Sequence, residues 1–133
     1  MASGFIMEMM GKKIKAEYLS DKAPDICAAM DKSIPVDCQA IHAKFAGREI
    51  IIMVPFYAEP ANEILDVKPG DIGYYPGRQT ICVFYGDTMP FGKVSVFARV
   101  TQGLEDLTAI GDLILEKGVI QAKITSFKGG EKV

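Results

Sequence analysis

The stretch Gly70-Asp-Ile-Gly-Tyr-Tyr-Pro-Gly-Arg-Gln-Thr-Ile-Cys-Val-Phe-Tyr-Gly86 decides the fold. A Pro76-Gly77 turn is followed by an unbroken run of β-formers, Thr80 to Tyr85, that stops at Gly86. Apolar runs bounded by turn residues predict buried strands, so Ile72 to Tyr75 is expected to pair with Thr80 to Tyr85 across that turn. Beyond a loop containing Pro90 comes Val96-Phe-Ala-Arg-Val-Thr-Gln-Gly-Leu-Glu-Asp-Leu107, which reads as a strand, a glycine hinge and the start of a helix.

The same reading extends outward in both directions. Ile14, Ala16 and Tyr18 alternate with Lys13, Lys15 and Glu17, the period of a half-buried strand. Pro24 suits the first turn of a helix running to about Lys32, and Pro35 ends it. Gln39 to Phe45 alternates again, with Ile41, Ala43 and Phe45 expected on one face and His42 and Lys44 on the other. Gly47-Arg48 then turns into Glu49 to Val54, a nearly continuous apolar run typical of a strand covered on both faces. Val94, Val96, Ala98 and Val100 alternate with Ser95, Phe97 and Arg99. Leu104, Leu107, Ile110 and Ile114 form a helical stripe that Gly118 breaks, and Val119 to Thr125 closes the chain as a strand.

About eight strands and two short helices predict a mainly β protein, a closed barrel of mostly antiparallel strands with the helices capping it. The 133 residues suit one domain with a real core. Its expected limits are 12–127, with 1–11 as an N-terminal extension or extra edge strand and 128–133 as a flexible tail. The net charge of −2 and the lack of a long Lys/Arg run speak against nucleic acid. No apolar segment is long enough for a membrane span, and no signal peptide is recognisable. Cys27, Cys38 and Cys82 are odd in number and lack metal-ligand spacing, which favours buried structural thiols and a cytoplasmic location.

Several of these segments resemble cyclophilins. Leu19 to Met30, with Ala23-Pro24 opening a helix, is similar to the cyclophilin segment where a strand ends and a capping helix begins. Ile41-His42-Ala43 stands where cyclophilins have Phe-His-Arg, and Phe97 to Leu104 resembles their Phe-Gly-Lys-Val segment. A closer resemblance, through Gly70-Asp71-Ile72-Gly73-Tyr74-Tyr75-Pro76 and Phe84-Tyr85-Gly86, is to small stand-alone prokaryotic cyclophilin-like proteins without an assigned activity. The resemblance implies a cyclophilin-like barrel. It also implies no prolyl isomerase activity, because the position of the catalytic arginine is Ala43 and no Gln-Gly-Gly-Asp is present.

Candidate site residues follow from their chemistry. His42 is the only histidine and titrates nearest neutrality. Arg48, Arg78 and Arg99 are the only arginines, the residue type suited to bidentate carboxylate recognition. Arg78 shares a turn with Tyr75, a mixture fitting a small-molecule pocket, with Tyr85 and Glu63 as further pocket members. Asp71 is expected to bond turn amides instead. The expected function is binding of a small ligand, a carboxylate-bearing one being the case the arginines favour, with no metal or cofactor. The alternatives are a hydrolase, lyase or isomerase using His42 with Glu63 or an arginine, and an interaction subunit of a larger enzyme assembly. Homodimerisation is a further expectation, through Met7, Met9 and Met10 adding to a neighbouring sheet.

Overall fold

The computed structural model describes residues 1–129. Nine strands run in the order β1 (Gly4–Met9), β2 (Lys12–Tyr18), β3 (Val36–His42), β4 (Gly47–Met53), β5 (Glu63–Ile64), β6 (Asp71–Tyr75), β7 (Thr80–Thr88), β8 (Val94–Gln102) and β9 (Ile120–Phe127). Two helices, α1 (Pro24–Ser33) and α2 (Leu107–Lys117), complete them. Pairing follows β2-β1-β9-β3-β4-β7-β6-β8, and a β2–β8 pairing joins the two ends of that row. The result is a closed, eight-stranded antiparallel barrel, and β5 adds a ninth strand on β8. Among the described residues, no helix is long and apolar enough to cross a membrane.

The interior is filled from alternate positions, as the period-2 geometry of strands requires. Phe5, Met7 and Met9 of β1, Ile14 and Ala16 of β2, and Ile120, Ala122 and Ile124 of β9 all point into it. Glu8, Lys12, Lys13, Glu17 and Lys123 face outward. Helix α1 adds Ile26, Cys27 and Met30, and α2 adds Leu107, Ile110 and Ile114, so both helices seal the same core. Pro24 at the start of α1 loses no helical hydrogen bond there, and Asp25 sits favourably in the first turn.

Three expectations change. The N-terminal segment is neither an extension nor an edge strand: β1 is bonded to β2 on one side and β9 on the other. Met7 and Met9 are fully buried in the barrel, while Met10, just beyond β1, is 49% exposed. On β3 the buried face is Cys38 and Ala40, with His42 following them inward, while Phe45 leaves the strand and is 65% exposed. The apolar Ile41 and Phe45 suggested the opposite phase, but the strand ends at His42 and the turn Lys44–Ala46 carries Phe45 outward. On β8 a bulge at the Ile72/Gly73 register shift reverses the alternation, so Val94 and Val96 face outward while Phe97 and Ala98 both join the core. Of the expected tail, Gly129 donates its N–H to Ser3 Oγ at 2.7 Å, and 130–133 lie outside the described residues.

One part of the barrel wall is buried on both faces. Cys82, Phe84, Val94 and Val96 form a second, outer cluster, against which Leu19, Ile64, Val67 and Tyr75 pack. Strand β5 and its flanking loops provide part of this cover, which explains why Thr80 to Tyr85 contains no polar outward position except Thr80 itself.

Candidate functional site

Strands β4 and β7 lie side by side with Glu49 opposite Phe84, Ile51 opposite Cys82 and Met53 opposite Thr80. Alternation sends Ile50, Ile52, Ile81, Val83 and Tyr85 inward and Glu49, Ile51, Thr80 and Cys82 outward. The strand pair therefore supplies residues to two polar environments on its two faces.

The outer environment is a cavity of about 60 Å³, several times the roughly 10–15 Å³ that one water needs. Glu49, Ile51, Thr80 and Cys82 line its strand side, and Tyr75 and Arg78 stand at the β6–β7 turn. Phe45 and Phe91 form its lip, their rings 4.8 Å apart although both are mostly exposed. Glu49 is only 6% exposed. Burial pushes its carboxyl above the usual range, and the Cys82 thiol donating to it offsets this in part. Cys82 is itself driven well above the ordinary thiol range by burial and by the adjacent Glu49, which leaves it a poor nucleophile. The one ion pair among the described residues is Arg99 with Asp71, so no cation is paired with Glu49.

The inner environment lies where β3 ends, β4 begins, and β7 meets α2. His42 Nε2 and the Tyr85 hydroxyl are 2.6 Å apart. Arg48 passes over Gly86, where a Cβ would collide with its side chain, and its charge acts on the Tyr85 phenol. His42 Nδ1 is buried without a partner among the described residues. Burial lowers the His42 pKa, Arg48 and Lys44 lower it further, and Asp112 of α2 opposes them. Gly111 of α2 abuts the Tyr85 hydroxyl so closely that any side chain would overlap it. This cluster lines none of the larger cavities; it ties β3, β4 and β7 to α2.

The expected site residues thus separate. Tyr75 and Arg78 meet in the outer cavity, while His42, Arg48 and Tyr85 meet in the inner cluster. Arg99 donates to Asp71 Oδ1 at 2.8 Å, and Asp71 Oδ2 also accepts the Lys68 N–H, the turn role expected of it. Glu63 is exposed on β5 opposite Ser95 and is absent from the charges acting on His42. Glu49 is the cavity residue that the sequence reading lacks, because it stands at the head of an apolar strand. The signal was a lone carboxylate heading the run Ile50-Ile-Ile-Met-Val54, expected to be covered on both faces.

Residues 6–126 match the family described as "Protein of unknown function (DUF3830)". A search of curated proteins returned no match. Among solved structures, McbB in complex with tryptophan superposes with a TM-score of 0.82 at 15% identity, over 97% of this chain and 46% of that one. This chain therefore spans less than half the length of McbB. The hypothetical protein AF2241 from Archaeoglobus fulgidus, solved in solution, superposes with a TM-score of 0.69 at 18% identity, over 94% of this chain and 95% of that one. At these identities the likeness is one of fold.

Proposed function

We propose that this chain, which belongs to that family, binds a small molecule in the outer cavity of its barrel, using Glu49 to hold a hydrogen-bond-donating or cationic head. The carrying observation is Glu49 itself, a carboxyl 6% exposed, in a cavity, with no cation paired to it among the described residues. Burying a carboxylate without a charge partner is costly, and a fold that needed only packing there would do better with an apolar residue. A ligand ammonium would supply the missing partner, and Phe45 and Phe91 would cover its apolar part. That McbB, a protein of similar fold, is found in complex with tryptophan supports small-molecule binding on such a barrel.

Kinship with cyclophilin-like proteins belongs to the same reading, supported by the motif order and the closed antiparallel barrel. Prolyl isomerase activity is not part of it. Ala43 is fully buried, the Arg48 side chain lies against Gly86, and Arg99 is paired with Asp71. Three free cysteines, all buried, accord with a cytoplasmic location.

The test is a thermal-shift and calorimetric panel of small primary amines, with isosteric alcohols as controls. Amines should raise the melting temperature of the wild type and not of Glu49→Gln. Equal responses in the two proteins, or no response to any amine, would remove the proposal.

A further inference from the structure

The outer cavity holds a second charge that Glu49 does not engage. Arg78 lines the same space from the β6–β7 turn, yet it is not among the groups acting on the Glu49 carboxyl. Two opposite charges facing one cavity without pairing present a cationic subsite and an anionic subsite at a fixed spacing. The strand register sets that spacing. Glu49 stands opposite Phe84, and Thr80 lies four residues farther along β7, about 13 Å at about 3.3 Å per residue. Arg78 lies beyond Thr80 in the turn, and its extended side chain recovers about half of that distance. Between the ends Ile51 and Val94 give apolar wall beside Thr80 and Cys82, with Phe45 and Phe91 above. Glu49 is deep and Arg78 is exposed, so the cation enters first and the anion stays at the rim.

We infer that the ligand is an ω-amino carboxylate or a chain of equivalent shape, with an ammonium on Glu49 and a carboxylate on Arg78, separated by several methylene-sized units. The inference rests on reading the outer cavity as a ligand site. An α-amino acid carries both charges on one carbon, so it satisfies only one subsite at a time. A chain of about four to six carbons spans both, and its methylenes lie along the apolar walls.

The experiment is isothermal calorimetry on the full chain with glycine, β-alanine, 4-aminobutyrate, 5-aminovalerate, 6-aminohexanoate and tryptophan, each beside the alkylamine of matching length. Affinity should rise with length and peak at about four to six carbons. At the peak it should exceed that of the matching alkylamine by about tenfold or more, the worth of one charged hydrogen bond. Arg78→Ala should bring the ω-amino acids down to the affinity of their alkylamines, and Arg78→Lys should restore part of the difference. If alkylamines bind through Glu49 but the carboxylate adds nothing, or glycine and tryptophan bind as tightly as the longer chains, the spacing inference fails while the amine site stands. If no amine binds and Glu49→Gln changes nothing, both fail together.

Discussion

The outer cavity and the inner cluster are built from neighbouring residues of one strand pair, and they bury titratable groups to opposite ends. Around Glu49 there is space, two exposed phenylalanines at the lip and an arginine at the rim. Around His42 the packing is close: the Tyr85 hydroxyl meets both the imidazole and Gly111, and Arg48 lies against Gly86. In each, burial acts against the charged form, raising the carboxyl and lowering the imidazole. An elevated carboxyl beside empty volume suits a ligand, whereas a depressed imidazole in a closed hydrogen-bonded set suits a brace. A perturbed pKa alone would not have separated the two; the volume next to it does.

The sharpest way to break this contrast is at Gly111. Gly111→Ala places a methyl group against the Tyr85 hydroxyl and should destabilise the fold by about 1–3 kcal/mol, the cost of overpacking. Chemical denaturation measures this, and an unchanged midpoint would mean that the inner cluster has slack and is not a brace.

A smaller effect of opposite sign is expected at the outer cavity. Glu49 is raised in the folded chain, so its favourable contribution is present below the ordinary value of 4.5 and is lost as pH rises through the folded value. Glu49→Gln should therefore melt a few degrees above the wild type near pH 8, and the gap should close towards pH 4. A Glu49→Gln protein less stable at every pH would make the carboxylate a structural group and weaken its reading as a ligand anchor.

The least effect is the titration of His42. Its folded pKa is depressed, so its contribution is present above the ordinary 6.5 and is lost as pH falls through the folded value. His42→Gln should flatten the pH dependence of the melting temperature on the acid side of 6.5 and leave it unchanged above pH 8. The same acid slope in both proteins would assign that slope to carboxylates elsewhere.

The barrel was legible because the β1–β2–β9 wall is water-facing on one side. In β2, Ile14 and Ala16 alternate with lysines and glutamates, and that pattern states which face is inside. The β4–β7–β6–β8 wall offers no such contrast. There the outward residues are themselves covered, and the bulge at Phe97 shifts the phase in mid-strand. A site placed on that wall is hidden from periodicity for the same reason, which is how Glu49 escaped notice while Tyr75 and Arg78, in an exposed turn, did not. Counting Phe45 as a strand residue puts His42 on the wrong face, because a large aromatic serves as readily at the lip of a cavity as in a core.

The position of β9 has a consequence for how this chain comes into being. It lies between β1 and β3, so the first and third strands made by the ribosome find their shared neighbour only when Ile120 to Phe127 has been synthesised. Until then the nascent barrel is an open sheet with two unsatisfied edges, a form prone to pairing with other chains. A stop codon just before β9 would release that open sheet for good, so loss of this one strand should turn a closed barrel into an aggregating one.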